Sequence, residues 1–262
     1  MSDKIGPNSV SKPLSEVVES LLSLVFPAVC VLCSLEVAGK SEGYVCQRCS
    51  RDVRRVRPPF CGRCGLPPSG EVTTSFTCAN CRESEPCFES ARAAVIAEGR
   101  VLEVIHRFKY RGEVWFEPFL VQLLLEEACP VLQGSSWSGL VPVPLHPVRE
   151  REREFNQATR LGTPLARALG ISIRTDLVRR NEMAHVQAHL SREARADNVR
   201  QAFSTASQER IQGNWIVFDD VLTTGATAGA VAAVLQRMGA ERVVVWSLAR
   251  ATMAGSSLGS MT

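Results

Sequence analysis

The stretch WIVFDDVLTTGATAGA, residues 215–230, limits what this chain can fold into more than any other. Trp215 to Phe218 is a run of four apolar residues followed by acids, the pattern of a parallel strand buried on both faces. Val231 to Met238 carries on as an Ala-rich helical pattern that stops at Gly239. The loop Thr223 to Thr227 therefore lies between a strand and a helix N-terminus. Unpaired N–H groups and the helix dipole favour an anion there, and small residues let a phosphate approach the backbone. Thr223, Thr224 and Thr227 add hydroxyl donors. A phosphate cradle ordinarily avoids extra negative charge. Asp219 and Asp220 directly before it point to a ligand with hydroxyls or a bound cation beside its phosphate, as in a ribose phosphate.

The run Asp219, Asp220, Val221, Leu222, Thr223, Thr224, Gly225, Ala226, Thr227 resembles the phosphoribosyl pyrophosphate (PRPP) motif of type I phosphoribosyltransferases. The resemblance implies that the paired acids hold the ribose hydroxyls, that the loop binds the 5′-phosphate, and that Mg²⁺ accompanies PRPP.

Ten cysteines in 262 residues would suit a disulfide scaffold, but eight fall in four C-x-x-C pairs near the N-terminus. The pairs are Cys30/Cys33, Cys46/Cys49, Cys61/Cys64 and Cys78/Cys81, separated by gaps of about a dozen residues. Each can form a knuckle offering two thiolates to one ion, and two knuckles complete a tetrahedral Zn²⁺ site. Consecutive pairing gives two zinc ribbons; interleaved pairing gives the same stoichiometry, and spacing does not choose between them. All-cysteine ligation leaves no open position for water, so the zinc is structural. Cys87 and Cys129 are left over as partly buried thiols. The metal reading favours a reducing compartment and a cytoplasmic location.

Leu21 to Val31 is largely apolar but too short to span a bilayer, so a membrane-spanning protein is not expected. Leu14 to Phe26 reads as an amphipathic helix that stops before Pro27. The net charge of +3 argues for neither nucleic acid nor membrane from totals alone.

The remainder alternates strands and helices. Ala91 to Ala97 reads as a strand and Gly99 to Tyr110 as a helix whose Val101, Leu102, Ile105 and Phe108 share one face. That helix ends among Arg107, Lys109 and Arg111. Trp115 to Ala128 reads as a second helix. A strand from Ser138 to Val141 then enters a loop made rigid by Pro142, Pro144 and Pro147. In the charged run that follows, Arg153, Phe155, Asn156 and Gln157 open a helix, a corner able to present guanidinium and amide donors. Gln187, Leu190, Ser191, Arg195 and Asn198 form a polar stretch, with His185 and His189 four apart. Glu241 to Leu248 closes the series as a hydrophobic strand. This order predicts an α/β fold, a parallel sheet flanked by helices with the ligand at the carboxyl ends of the strands.

The knuckles, KYRG at Lys109 to Gly112, PVPLHP at Pro142 to Pro147, REFNQ at Arg153 to Gln157, and the spaced Gln187, Leu190, Arg195, Asn198 and Phe203 together resemble the ComF family. The resemblance covers nearly everything from Pro27 to Arg250. It implies a type I phosphoribosyltransferase-like sheet beside a small N-terminal zinc-ribbon module with four-cysteine sites. Residues 1–26 are then a lead and helix, 27–88 the double zinc ribbon, 89–252 the phosphoribosyltransferase-like domain and 253–262 a tail. It further implies a role in DNA uptake, with single-stranded DNA and a DNA-uptake helicase as partners. Lys109, Arg111, Pro144, Arg153, Asn156 and Gln157 are the expected contacts to pyrophosphate or DNA. Two functions stay open: DNA uptake with a retained PRPP pocket, and transfer of ribose 5-phosphate from PRPP to a nitrogen acceptor in nucleotide metabolism. No residue is identified as a general base. One departure is visible, since Glu154 stands where the family corner has glycine. A positive φ there would strain a glutamate and set its charge beside an anion site.

Overall fold

A computed structural model describes residues 28–83, 85–181 and 201–252. Its centre is a four-stranded parallel sheet of β1 (Ser90–Ile96), β2 (Gly139–Pro142), β5 (Asn214–Leu222) and β6 (Arg242–Arg250), in the order β1-β6-β5-β2. β3 (Val178–Arg180) and β4 (Phe203–Thr205) pair antiparallel apart from it. The helices are α1 (Gln47–Arg51), α2 (Ala79–Glu83), α3 (Gly99–Tyr110), α4 (Glu117–Leu132), α5 (Pro147–Arg153), α6 (Gln157–Ala168) and α7 (Ala226–Met238).

The central strands β5 and β6 are buried on both faces, which is why they read as unbroken apolar runs. On one face Ile216, Phe218, Val244 and Trp246 pack with Ile105 and Phe108 of α3, Leu120 and Leu124 of α4, and Leu161 of α6. On the other, Val217, Val243 and Val245 pack with Val231 and Leu235 of α7 and with Val178 and Phe203 of the hairpin. The helix that follows β2 and the helix that follows β5 thus lie on opposite faces. Adjacent strands so arranged open a crevice between their carboxyl ends.

The cysteine segment is not a detached bead. Cys30, Val45, Cys46 and Cys49 share the core of α3 and α4. Backbone bonds from Val56 to Ala94 and from Ile96 to Arg54 cover the free edge of β1 with this segment. An otherwise open sheet edge is thereby closed.

Several element bounds differ from the sequence reading. β5 does not stop at Phe218 but runs through both acids to Leu222, because the ladder to β6 continues with Asp219 opposite Ser247 and Leu222 opposite Arg250. β6 extends to Arg250 for the same reason. The second helix starts at Glu117 rather than Trp115, after a 3₁₀ turn over Val114–Phe116, with Pro118 in its first turn. It runs on to Leu132. α3 matches its predicted bounds. The helix expected at 14–26, the tail at 253–262, and the stretch holding His185, Gln187, His189, Leu190, Ser191, Arg195 and Asn198 lie outside the described residues. Among the described residues no helix is long and apolar enough to cross a membrane.

Candidate functional site

The two acids stand at the carboxyl end of β5, where the strand leaves the core. Phe218 is fully buried whereas Asp219 and Asp220 are half-buried. Each carboxylate accepts from the next backbone amide: Asp219 Oδ1 from Asp220 N at 2.9 Å, Asp220 Oδ1 from Val221 N at 2.7 Å. These bonds hold both side chains against the turn. Lys109, the penultimate residue of α3, places its Nζ 2.7 Å from Asp220 Oδ2, with the two side chains only 13% and 14% exposed. The basic end of α3 therefore serves the acid pair. Burial, and next the charge of Asp220, push Asp219 up to about 7 from 3.8, with Lys109 opposing.

The loop then turns at Gly225, whose φ of 82° sits in the left-handed region that glycine occupies without strain. Gly225 is the N-cap of α7 and offers no side-chain acceptor. The Thr224 hydroxyl accepts from Ala226 N at 3.3 Å. Thr223 and Thr224 are exposed, so hydroxyls and first-turn amides face outward beside the acids.

Across the crevice, the proline loop after β2 leads into α5 and the corner at 153–157. Val143 N donates to Phe218 O at 2.8 Å, tying the loop of Pro144 to β5. Asn156 caps α6 by accepting from Ala158 N and Thr159 N at 2.9 and 3.3 Å, while its Nδ2 donates to Val143 O at 3.0 Å. Its amide thus holds the corner in shape. Arg153 donates to Gln157 Oε1 at 3.2 Å and lies 4.6 Å over the ring of Tyr110. Gln157 is 1% exposed and its Nε2 has no partner among the described residues. Glu154 adopts φ 62°, ψ −5°, so the left-handed geometry anticipated for that position is present with a glutamate in it. Arg111 caps the carboxyl end of α3 and is exposed. The expected contacts thus divide: Lys109 joins the acids, Arg153 and Gln157 join the corner, and Arg111 faces solvent.

Arg180 was not legible in the sequence. It ends β3, lies over the Phe203 ring at 5.5 Å, and is half-buried, with its buried Nε unpartnered among the described residues. Burial and the charge of Arg149 lower its pKa, while the charge of Asp219 opposes that shift. Arg180 thus lies within the electrostatic reach of Asp219 and of Arg149 on α5. Only the folding of the hairpin over the sheet brings Arg180 there, so no local motif signals it.

Two groups of four sulfurs lie in the cysteine segment: Cys30, Cys33, Cys46 and Cys49, and Cys61, Cys64, Cys78 and Cys81, each with all ligand atoms within 4.8 Å of one another. The pairing is therefore consecutive. Sulfurs at the corners of a tetrahedron with 2.3 Å metal bonds are about 3.8 Å apart. The Cys33–Cys46 and Cys64–Cys78 separations of 3.8 and 3.6 Å fit that figure. Amides support the sulfurs, with Cys49 N 3.5 Å from Cys46 Sγ and Cys78 N 3.3 Å from Cys61 Sγ. Amides of Leu35 and Glu36 hold the Cys33 thiol down at about 6. The donor set fits structural zinc ribbons. Cys87 and Cys129 are half-buried and belong to neither group.

A family model described as a double zinc ribbon domain matches residues 21–86. The chain is 31% identical to Competence protein F of Haemophilus influenzae over 216 residues, 79% of this chain and 90% of that protein. It is 32% identical to DNA utilization protein YhgH of Salmonella typhimurium over 234 residues, 87% of this chain and 99% of that protein. With Competence protein ComFC of Streptococcus pneumoniae it shares 26% over 219 residues, 83% of this chain and 92% of that protein. With such identity over nearly the whole of these relatives, and with both cysteine tetrads formed, the chain belongs to the ComF family of competence proteins.

Proposed function

We propose that this protein acts in DNA uptake, binds single-stranded DNA and carries a PRPP pocket at the carboxyl end of β5. The observation that carries the pocket is the acid pair held by its own turn amides and by Lys109, directly ahead of a helix N-terminus whose N-cap residue is a glycine. Asp219 and Asp220 accept from the ribose hydroxyls. The hydroxyls and amides of 223–227 receive the 5′-phosphate, a role that suits a helix N-terminus. Mg²⁺ bound with PRPP would neutralise pyrophosphate oxygens. Arg180, which feels the charge of Asp219, and Arg149, which feels that of Arg180, would supply positive charge to a pyrophosphate. In this reading 27–88 is the double ribbon and 89–252 the ribose phosphate domain.

The DNA face is the end of α3. Tyr110 is 66% exposed, with Arg153 over its ring and Arg111 beside it. An exposed ring with a guanidinium on one face and a second arginine next in the chain suits base stacking with backbone neutralisation. An adjoining hollow of about 370 Å³ is lined by Leu102, Glu103, His106, Arg107, Tyr110 and Arg111, with Glu103 its one acid. The relatives named for competence and DNA utilization support the role in DNA uptake.

Turnover is a second reading, favoured by the cations near the acid pair. In it the C1–O bond of PRPP breaks, pyrophosphate departs, and a nitrogen acceptor bonds to C1. The deciding experiment is a thermal shift with PRPP and Mg²⁺. The parent protein is expected to melt higher, and Asp219→Ala with Asp220→Ala to abolish the shift; no shift in the parent sinks the pocket. Pyrophosphate release with candidate acceptors separates binding from transfer. A labelled single strand should bind more weakly as salt rises and on Tyr110→Ala.

A further inference from the structure

Arg250, the last residue of β6, is 3% exposed and in register with Leu222 of β5 and Ile96 of β1. Its Nη1 donates to Leu222 O at 2.7 Å, to Ala251 O at 3.1 Å and to Thr223 O. Its Nη2 reaches the other way, to Cys64 Sγ at 3.8 Å. One planar guanidinium therefore spans the start of the 222–227 loop and a ligand atom of the second tetrad. Of its four acceptors only the sulfur carries formal charge when the tetrad holds zinc, because four thiolates around one Zn²⁺ sum to a net charge of about 2−. A buried cation depends on such a partner.

The surrounding packing makes the link stiff. Arg92 donates to Gly62 O, inside the third C-x-x-C pair, at 3.1 Å. A Cβ on Gly65 would come within 2.6 Å of Ala91 O, so the knuckle lies directly on β1. Phe88, between the second tetrad and β1, meets the loop side: a Cβ on Gly225 would lie 3.5 Å from its Cζ.

The consequence for the loop follows from the trans peptide. The C=O of Leu222 and the N–H of Thr223 belong to one plane and point in opposite directions, as do the C=O of Thr223 and the N–H of Thr224. Leu222 O is held inward by Ala251 N at 3.0 Å as well as by Arg250, whereas Thr223 O, one residue past the ladder, accepts from Arg250; with both carbonyls inward, both amides turn outward, to the side where Thr223 and Thr224 are exposed. We infer that Arg250 is a positioning residue that couples the second cysteine tetrad to the anion-binding geometry of the 222–227 loop. The tetrad then governs ligand affinity without touching ligand. The choice of PRPP as ligand rests on the function proposed above; the coupling does not.

Hydrogen exchange read by mass spectrometry on the full zinc-loaded chain tests the coupling without ligand. Arg250→Met and Cys64→Ser are both expected to speed exchange of the hydrogen-bonded amides that frame the loop, Ala226 N on Thr224 Oγ1 and Gly229 N on Gly225 O, by roughly tenfold or more, because the loop loses a charge-assisted hydrogen bond. Cys33→Ser, in the first tetrad, should leave that segment unchanged, and Arg250→Lys should restore part of the protection. A titration with Mg²⁺ and PRPP should show Arg250→Met weakened at least about tenfold while zinc stays at about two per chain. A merely structural role would lower the melting temperature and leave this affinity in place. Unchanged loop exchange in Cys64→Ser, or equal protection loss in Cys33→Ser and Cys64→Ser, overturns the coupling. A parent protein that fails to bind PRPP defeats only the ligand assignment, since the exchange data still decide the coupling.

Discussion

Lys109→Met is the sharpest single perturbation of the acid pair. Lys109 Nζ lies 2.7 Å from Asp220 Oδ2, and both side chains are nearly enclosed. Removing one partner of such a pair costs about 3–5 kcal/mol when the remaining charge cannot escape. Here Asp219, already pushed up to about 7, can take up a proton and relieve part of that cost. We therefore expect a loss of about 2–3 kcal/mol at neutral pH, or a fall in melting temperature of about 4–12 °C for a chain of this size. The sign of the pH dependence is fixed. Between the ordinary carboxylate value and about 7, folded Asp219 holds a proton that the unfolded chain lacks, so its contribution to stability falls as pH rises through that window. Without Lys109 the window extends upward. The deficit of the variant should shrink near about pH 5 and widen near about pH 8, at up to roughly 1.4 kcal/mol per pH unit. Melting curves of parent and variant across that range check this. A deficit independent of pH, or none at all, would refute the view that Lys109 neutralises the pair.

Glu154→Gly should raise stability by about 1 kcal/mol in urea unfolding, because a left-handed backbone strains glutamate and not glycine; it should also strengthen anion binding by removing a carboxylate next to Arg153. Affinity for PRPP should rise with pH and level off above about 7, since an ionised Asp219 accepts better from ribose hydroxyls; calorimetry in buffers of different ionisation enthalpy should register proton release near pH 7. Elemental analysis should find about two zinc ions per chain, falling to about one in Cys33→Ser or Cys81→Ser.

Much of this protein is local chemistry and is visible in the chain. The four C-x-x-C pairs name all eight sulfurs, because a knuckle needs only neighbours. The apolar run before Asp219 and the small-residue turn at Gly225 mark a buried strand entering a helix. The face formed by Val101, Ile105 and Phe108 gives α3 its bounds. Glu154 stands out through the family resemblance, which has glycine at that corner, and not through its own neighbours.

What the sequence leaves open depends on which distant segments meet. Spacing allows either pairing of the knuckles, and the choice falls to the way Cys30 to Cys49 pack into the core of α3 and α4 while Cys61 to Cys81 lie against β1. The end of β5 was set by its ladder to β6, not by its own residues. Lys109 reads as a surface cation at a helix end until folding brings it to Asp220. Arg180 feels the charge of Asp219 only because a separate hairpin covers the sheet. Arg250 reads as the end of a strand, yet it meets a sulfur 186 residues away. Local propensity and ligand chemistry, which act over a few residues, are written in the sequence. The partners of buried charges are decided by tertiary packing, because a buried charge is stable only against whichever opposite charge or carbonyl the fold delivers to it.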